Sequence, residues 1–459
     1  MGVFIVLIVG ILFILLFRIV FWSKYSNDDI WKYQKEISNT KMKKQVDVIN
    51  DKSTFLGLYG KKKIFINNDV KHIFICGTTG SGKTVTLSNF IESVFKYDYP
   101  SLIVDGKGDI NDGSILDYIN KFKKIYPNKK VYVIDLNNPE TCDRYNPFYQ
   151  KKPTVIKDML ISMTDWSEEH YKVNASRYIQ KVIYLMQENN IEITLESVIK
   201  HLSLLSFTDL SLQLQKEKML SKEEHLENVK NAENMIKIVE GAMARFSLLV
   251  ESDIGAIFKT SKNSIDIPSA LNENAIILFI LNPLIYPETS PLFGRLITID
   301  AKQGVSSLFH KKFERTFYIF DEISIYASNE LLLLVNLSRS ANITSILATQ
   351  SLSDLENVSE SFRKQVIESC NNYIVMRQNE PTNAEIWANT IGTRKSPEVT
   401  YQIKNNHQTT DTTGLGSFKI TRVYLYHPDI IKSLKMGEAI YISKDNNIHY
   451  KVKINKPNL

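Results

Sequence analysis

Residues Gly77, Thr78, Thr79, Gly80, Ser81, Gly82, Lys83 and Thr84 read GTTGSGKT, between the apolar run HIFIC and the helix-like VTLSNFIESVF. This matches GxxxxGK[ST], with a strand before it and a helix after it as the motif requires. Glycines let the backbone fold around phosphates so that N–H groups point inward, and a helix N-terminus adds positive potential. Lys83 is expected to reach the β- and γ-phosphates and the Thr84 hydroxyl to ligate Mg2+, so ATP and Mg2+ are the expected cofactors.

Hydrolysis needs more than a cradle. Strand-like segments end in acid at Asp105 (SLIVD), Asp135 (VYVID) and Asp321 (TFYIFDE), and only Asp321 is followed by a second carboxylate, Glu322. Asp321 suits the metal, directly or through water, while Glu322 suits the attacking water as proton acceptor. Downstream, LSRSANITSILATQS puts Arg339 at the end of a helix and Gln350 at the end of the next strand. Gln350 is placed to feel the γ-phosphate. Arg339 is a candidate for another subunit's site, where a cation stabilises the transferring phosphoryl group. On its own, an exposed arginine on a helix is ordinarily just solvated.

Other chemistries find little support. Cys76, Cys142 and Cys370 are far apart, form no CxxC pair and have no His at ligand spacing, which argues against a disulfide framework or a zinc site. Cys76 closes an apolar strand and reads as a small buried hydrophobe. A hydrophobic content of 43% with 23% charged residues is that of a folding chain. The net charge of +6 neither establishes nor opposes a polyanionic partner.

These residues need a scaffold, and its period is legible. HIFIC, SLIVD, VYVID, AIILFIL, TFYIF, TSILAT and YIVM are short and too continuously apolar for half-exposed strands, so they predict buried parallel strands in an α/β sheet with helices on both faces. From about Gln150 to Lys262 the strands stop. ASRYIQKVIYLMQENN and EEHLENVKNAENMIKIVEGAMARFSLLV have helical spacing and predict an inserted all-α domain, whose charged positions read as a solvated face. The polar run KNNHQTTDTTGLGS, near 404 to 417, predicts a loop. Residues 71–150 and 263–459 then form the two parts of a nucleotide-binding domain around 151–262, with 25–70 as a membrane-proximal linker and entry to it.

The N-terminus, 1–24, is of another kind. Val3 to Trp22 carries Arg18 as its single charge and is long enough as a helix to cross roughly 30 Å of hydrocarbon. Lys24, Lys32, Lys35, Lys41, Lys43 and Lys44 follow it. Basic residues mark the cytoplasmic side, so a single-pass anchor in the cell membrane with the motor in the cytoplasm is expected.

Taken in order, HIFICGTTGSGKT, LIVDGKGD, RYNPF, FYIFDEIS and RSANITSILATQS resemble the type IV coupling proteins, the TraD/TraG-like ATPases of conjugation and type IV secretion. TGLGSFKITRVYLYHPDIIKSLKMGEAIYI, Thr413 to Ile442, is similar to the C-terminal part of their motor domain. The phosphate-loop and DE motifs are shared with the wider FtsK/HerA group. The resemblance implies a RecA-like P-loop ATPase domain with an all-α domain, assembled as a homo-hexamer with ATP at the subunit boundaries. It implies a membrane-anchored motor that passes DNA, single-stranded and read without sequence preference, with its relaxase, or protein substrates, to secretion-channel proteins. It makes Arg339 the candidate arginine finger and Gln350 the sensor. Members often have two membrane-spanning helices, and this chain shows one. A FtsK/HerA-type motor without a relaxase, and a membrane receptor that binds ATP to hold its assembled shape, stand as alternatives.

Overall fold

The computed structural model describes residues 52–259, 264–308, 313–406 and 409–457. The expected anchor, Val3 to Trp22, lies outside them; no described helix is long and apolar enough to cross a membrane. The described residues fall into a larger unit, 52–383 with 432–457, and a smaller one, 384–431.

The chain begins with β1 (Ser53–Tyr59), β2 (Lys62–Asn67), β3 (His72–Cys76), α1 (Lys83–Lys96), β4 (Ser101–Asp105), α2 (Ile115–Ile125) and β5 (Val131–Asp135). A helical stretch follows, with α3 (Pro153–Ser162), α4 (Glu169–Glu188), α5 (Leu195–His201), α6 (Leu204–Lys216) and α7 (Lys222–Val250). Then come α8 (Ile267–Asn272), β6 (Ile276–Ile280), α9 (Thr289–Leu308), β7 (Thr316–Asp321), α10 (Asn329–Ser338), β8 (Ile343–Thr349), α11 (Leu352–Glu356), α12 (Glu360–Ser369) and β9 (Asn372–Val375). Last are α13 (Pro381–Ile391), β10 (Thr393–Asn406), β11 (Thr409–Tyr424), α14 (Pro428–Lys432), β12 (Glu438–Ser443) and β13 (Ile448–Ile454).

The larger unit is built on an 11-stranded sheet in the order β2-β1-β13-β12-β9-β3-β8-β7-β4-β6-β5. From β9 to β5 every neighbouring pair is parallel. The strands foreseen from their apolar runs are these parallel ones. Beyond β9 the sheet continues antiparallel through β12, β13, β1 and β2. Residues 53–67, read from sequence as linker and entry, are thus two strands of the sheet. Both faces of the parallel region are covered, which is why its strands do not alternate. Ile73, Ile75, Leu278, Ile319 and Ile346 share one core with Leu87, Phe90 and Ile91 of α1 and Ile119 and Phe122 of α2. Their strand neighbours Phe74, Leu102, Phe279, Tyr318 and Phe320 are equally buried. Each such side chain contributes ~1.5–3 kcal/mol of burial.

In the helical stretch, Ser221 and Glu224 form a capping box at the start of α7, which buries Ala232, Val239, Ala242, Phe246 and Leu249. Those positions lie on one stripe of a helix, so a single face is packed and the rest is solvated.

The smaller unit corrects one expectation. Residues 404–406 and 409–417 are strand, not loop: Thr393 pairs with Tyr424, and the ladder runs out to Asn406 opposite Thr409 in a long two-stranded antiparallel ribbon. Composition misleads here because Asn, Gly and Asp suggest turns, whereas a ladder is held by backbone groups that every residue carries.

Candidate nucleotide site

Parallel strands end together, so β3, β4, β7 and β8 deliver their C-terminal residues to one edge of the sheet. The phosphate loop leaves β3 there. Gly77 N donates to Thr349 O (3.3 Å) and Thr78 N to Arg377 O (3.0 Å), which ties the loop to the ends of β8 and β9. Ser81 is buried and its carbonyl accepts from Gly437 N at 2.9 Å. Gly82 caps α1 at φ 110°, a value that side chains other than glycine rarely adopt. The first turn of α1 holds no acid, so its unpaired N–H groups and positive potential are left for an anion.

Lys83 is buried, and its ammonium donates to Gly77 O at 2.7 Å, closing the loop on itself. Its Nζ stands 3.9 Å from Glu322 Oε2. Burial lowers the Lys83 pKa, and Glu322 opposes that shift. Glu322 is likewise buried, and burial raises its carboxyl above the usual range against the pull of Lys83. Its backbone is left-handed, φ 52° and ψ 53°. For a residue with a Cβ, that conformation costs about 1–3 kcal/mol and is found where packing enforces it. Here the bend follows Asp321 directly and lets both carboxylates serve one site.

Gln350 completes the cluster. Its backbone N donates to Glu322 Oε1 (3.2 Å), its Nε2 to Glu322 Oε2 (3.1 Å), and its Oε1 accepts from Thr79 Oγ1 (2.8 Å). The end of β8 therefore joins the phosphate loop to the carboxylate after β7.

Asp321 is 1% exposed, and neither of its carboxylate oxygens has a hydrogen-bond donor. The Thr84 hydroxyl lies in the first turn of α1, half-buried. Carboxylate and hydroxyl oxygens are the donors a hard divalent cation such as Mg2+ takes, and orphaned buried carboxylate oxygens fit one.

Sequence reading noted Asp105 at a strand end without giving it a role, and it did not single out Lys107. Asp105 is the register partner of Asp321 on adjacent strands and is equally buried. Burial and the neighbouring Asp321 push its carboxyl up to about 7, against the Lys107 N–H and ammonium. Lys107 Nζ stands 3.5 Å from Asp321 Oδ2. Burial works to lower its pKa, but Asp321, Glu322 and Asp105 outweigh it and raise the ammonium. The available signal was the run DGKGD directly after a strand, a cation between glycines at the edge where Asp321 also ends.

Arg339 is not brought to this cluster. It is exposed, just after α10 and before β8, and its charge acts on His72, which opens β3. That is the opposite edge of the sheet, about 20 Å away at the strand rise of roughly 3.3 Å per residue. Asp135 is answered locally by Asn137 N (2.9 Å) and Asn138 Nδ2 (2.8 Å).

Fold and loop together define a P-loop nucleoside triphosphatase. Residues 59–277 match the family described as the central domain of helicase HerA, and residues 315–435 match the TraM recognition site of TraD and TraG. These matches support the reading of the chain as a type IV coupling protein-like ATPase. Among solved structures it resembles the bacterial conjugative coupling protein TrwB, lacking its N-terminal 70 residues, at a TM-score of 0.63 and 14% identity over 89% of this chain and 90% of that one. TrwB in complex with ADP and Mg2+ gives 0.58 and 13%, over 85% and 86%. VirB4 of Thermoanaerobacter pseudethanolicus gives 0.54 and 11%, over 89% and 98%. An uncharacterized protein of Mycoplasma pneumoniae is 32% identical over 100 residues, 22% of this chain and 67% of its own length.

Proposed function

We propose that this chain is a membrane-anchored coupling ATPase that passes DNA, bare or joined to a relaxase, or protein substrates to a type IV secretion or conjugation channel. The observation that carries the reading is the cluster of Lys83, Glu322 and Gln350, linked to the phosphate loop through Thr79, in a chain whose residues 315–435 match a coupling-protein family.

In this reading the backbone of Gly77 to Thr84 cradles the phosphates, and Lys83 moves from Gly77 O onto the β- and γ-oxygens. Thr84 and Asp321 hold Mg2+, which when bound neutralises developing charge on the phosphoryl oxygens. Glu322 orients the attacking water and takes its proton. Gln350 touches both Glu322 and the phosphate-loop Thr79, so loss of the γ-phosphate is felt on β8. Arg339, remote from its own chain's site, serves the site of a neighbouring copy in a homo-hexamer. The segment Val3 to Trp22 anchors the ring with its motor in the cytoplasm, and an acceptor of the TraM kind docks on the C-terminal half.

A second reading, a HerA-like motor without a relaxase, is favoured by the match over residues 59–277. The test is steady-state ATP hydrolysis by the full chain in nanodiscs, with and without single- and double-stranded DNA, with Lys83→Ala as the blank. The reading expects stimulation by single strands that weakens steeply with salt, because backbone binding releases counterions. Turnover indifferent to every nucleic acid shifts the reading to protein export.

A further inference from the structure

We propose that Lys107 is the resident counter-ion of the buried carboxylates in this site, and that its ammonium and a divalent cation exclude one another at Asp321. The inference rests on the nucleotide-site reading above and adds a residue that sets when metal is admitted.

The β4–β7 register places Asp105 beside Asp321, at 2% and 1% exposure. Asp105 is answered by the Lys107 N–H, 2.9 Å from Oδ1. Asp321 has no hydrogen-bond donor, and the cation that faces it is Lys107, 3.5 Å from Oδ2. Gly106 is why the lysine sits there. A Cβ at Gly106 would lie 2.7 Å from Asp321 O and 2.9 Å from Glu322 Cβ, so only glycine lets the turn press against the end of β7. The Gly106 N–H donates to Asp321 O at 3.2 Å, and the next side chain falls over the carboxylates.

Mg2+ binds carboxylate oxygen at about 2.0–2.1 Å and demands near-octahedral surroundings. An ammonium 3.5 Å from Oδ2 competes with a metal ion for that carboxylate, and like charges at such range repel. The repulsion favours one cation at Asp321 over two. Lys83 is 3% exposed and its ion pair is with Glu322, so Lys107 is the cation whose ion pair is with Asp321. The Lys107 side chain is 32% exposed and has solvent to withdraw into. The lysine therefore holds metal affinity low in the protein alone. A nucleotide, whose phosphates supply further oxygen ligands, tips the exchange, so that metal and nucleotide enter together.

The probe is Mn2+ alone, titrated into the nucleotide-free full chain and followed by the electron paramagnetic resonance signal of the free ion. Lys107→Gln is expected to bind Mn2+ about tenfold more tightly than the parent, since a like charge has been removed. Lys107→Arg, which keeps the charge, is expected to match the parent, and adding Asp321→Asn to Lys107→Gln should abolish the gain. If Lys107→Gln binds no more tightly, or more weakly, while Asp321→Asn still removes binding, the counter-ion role is wrong and the metal assignment stands. If the gain survives in the double variant, the metal is not at Asp321, and both the exchange and the assignment on which it rests fall.

Discussion

Gln350 grips Glu322 at both carboxylate oxygens, with its backbone N–H on Oε1 at 3.2 Å and its side-chain amide on Oε2 at 3.1 Å. One residue after β8 thus fixes the carboxylate that follows β7 and, through Thr79, touches the phosphate loop of β3.

Removing that grip should cost turnover more than binding. Gln350→Ala leaves the backbone N–H in place but frees one oxygen of Glu322 to swing, so the rate of ATP hydrolysis is expected to fall about tenfold or more for want of orientation. Nucleotide affinity, measured with a fluorescent ATP analogue, should stay within a few-fold of the parent. Equal losses in both would make Gln350 a ligand rather than a positioning residue.

Lys83→Ala and Glu322→Gln should part company. The first removes the ammonium that faces the phosphates and is expected to lose nucleotide binding. The second keeps shape and binding but removes the proton acceptor, with a fall of about 10²–10⁴ in turnover. Paired binding and rate measurements check both, and weak binding by Glu322→Gln would sink its assignment.

The buried carboxylate pair makes a stability prediction. The Asp105 carboxyl is held at about 7 in the folded chain, against an ordinary value near 3.8. Between those values the folded state binds more protons than the unfolded one, so stability falls as pH rises. The contribution is fully present below the lower value and is lost as pH passes through the upper one. Asp105→Asn keeps the shape without titrating and should flatten this slope, as read from denaturation midpoints at pH 5 and pH 7.5.

If Arg339 serves a neighbouring copy, two inactive chains should rescue each other. Arg339→Ala retains its own carboxylates, and Glu322→Gln retains its arginine. Mixing the two in the full-length assembly is expected to restore activity at boundaries that combine the intact halves, with a maximum at intermediate ratios. Activity that only ever averages the two would mark Arg339 as a solvated surface residue.

Much of the scaffold was legible because local order writes itself into the chain. Strands covered on both faces read as unbroken apolar runs such as HIFIC and TFYIF, and α7 reads through its cap and its single buried stripe. The polar ribbon was not legible, since its pairing is made by backbone groups that every residue carries. The strands at 53–59 and 62–67 were missed for a related reason. β2 pairs with β1, and β1 reaches the sheet through residues near 454, a distant pairing that no local pattern announces.

The site divides in the same way. The phosphate loop could be read directly, because GTTGSGKT is one continuous turn whose residue types and spacing are its chemistry, and Asp321 and Glu322 stood out as adjacent acids at a strand end. Which groups meet them depends on how the strands are ordered in space. The parallel register set Asp105 beside Asp321 and Lys107 over both, the end of β8 brought Gln350 to Glu322, and the length of β8 carried Arg339 to the far edge. Those distances come from strand order and register, set by burial summed over the whole sheet, and no stretch of sequence holds that sum.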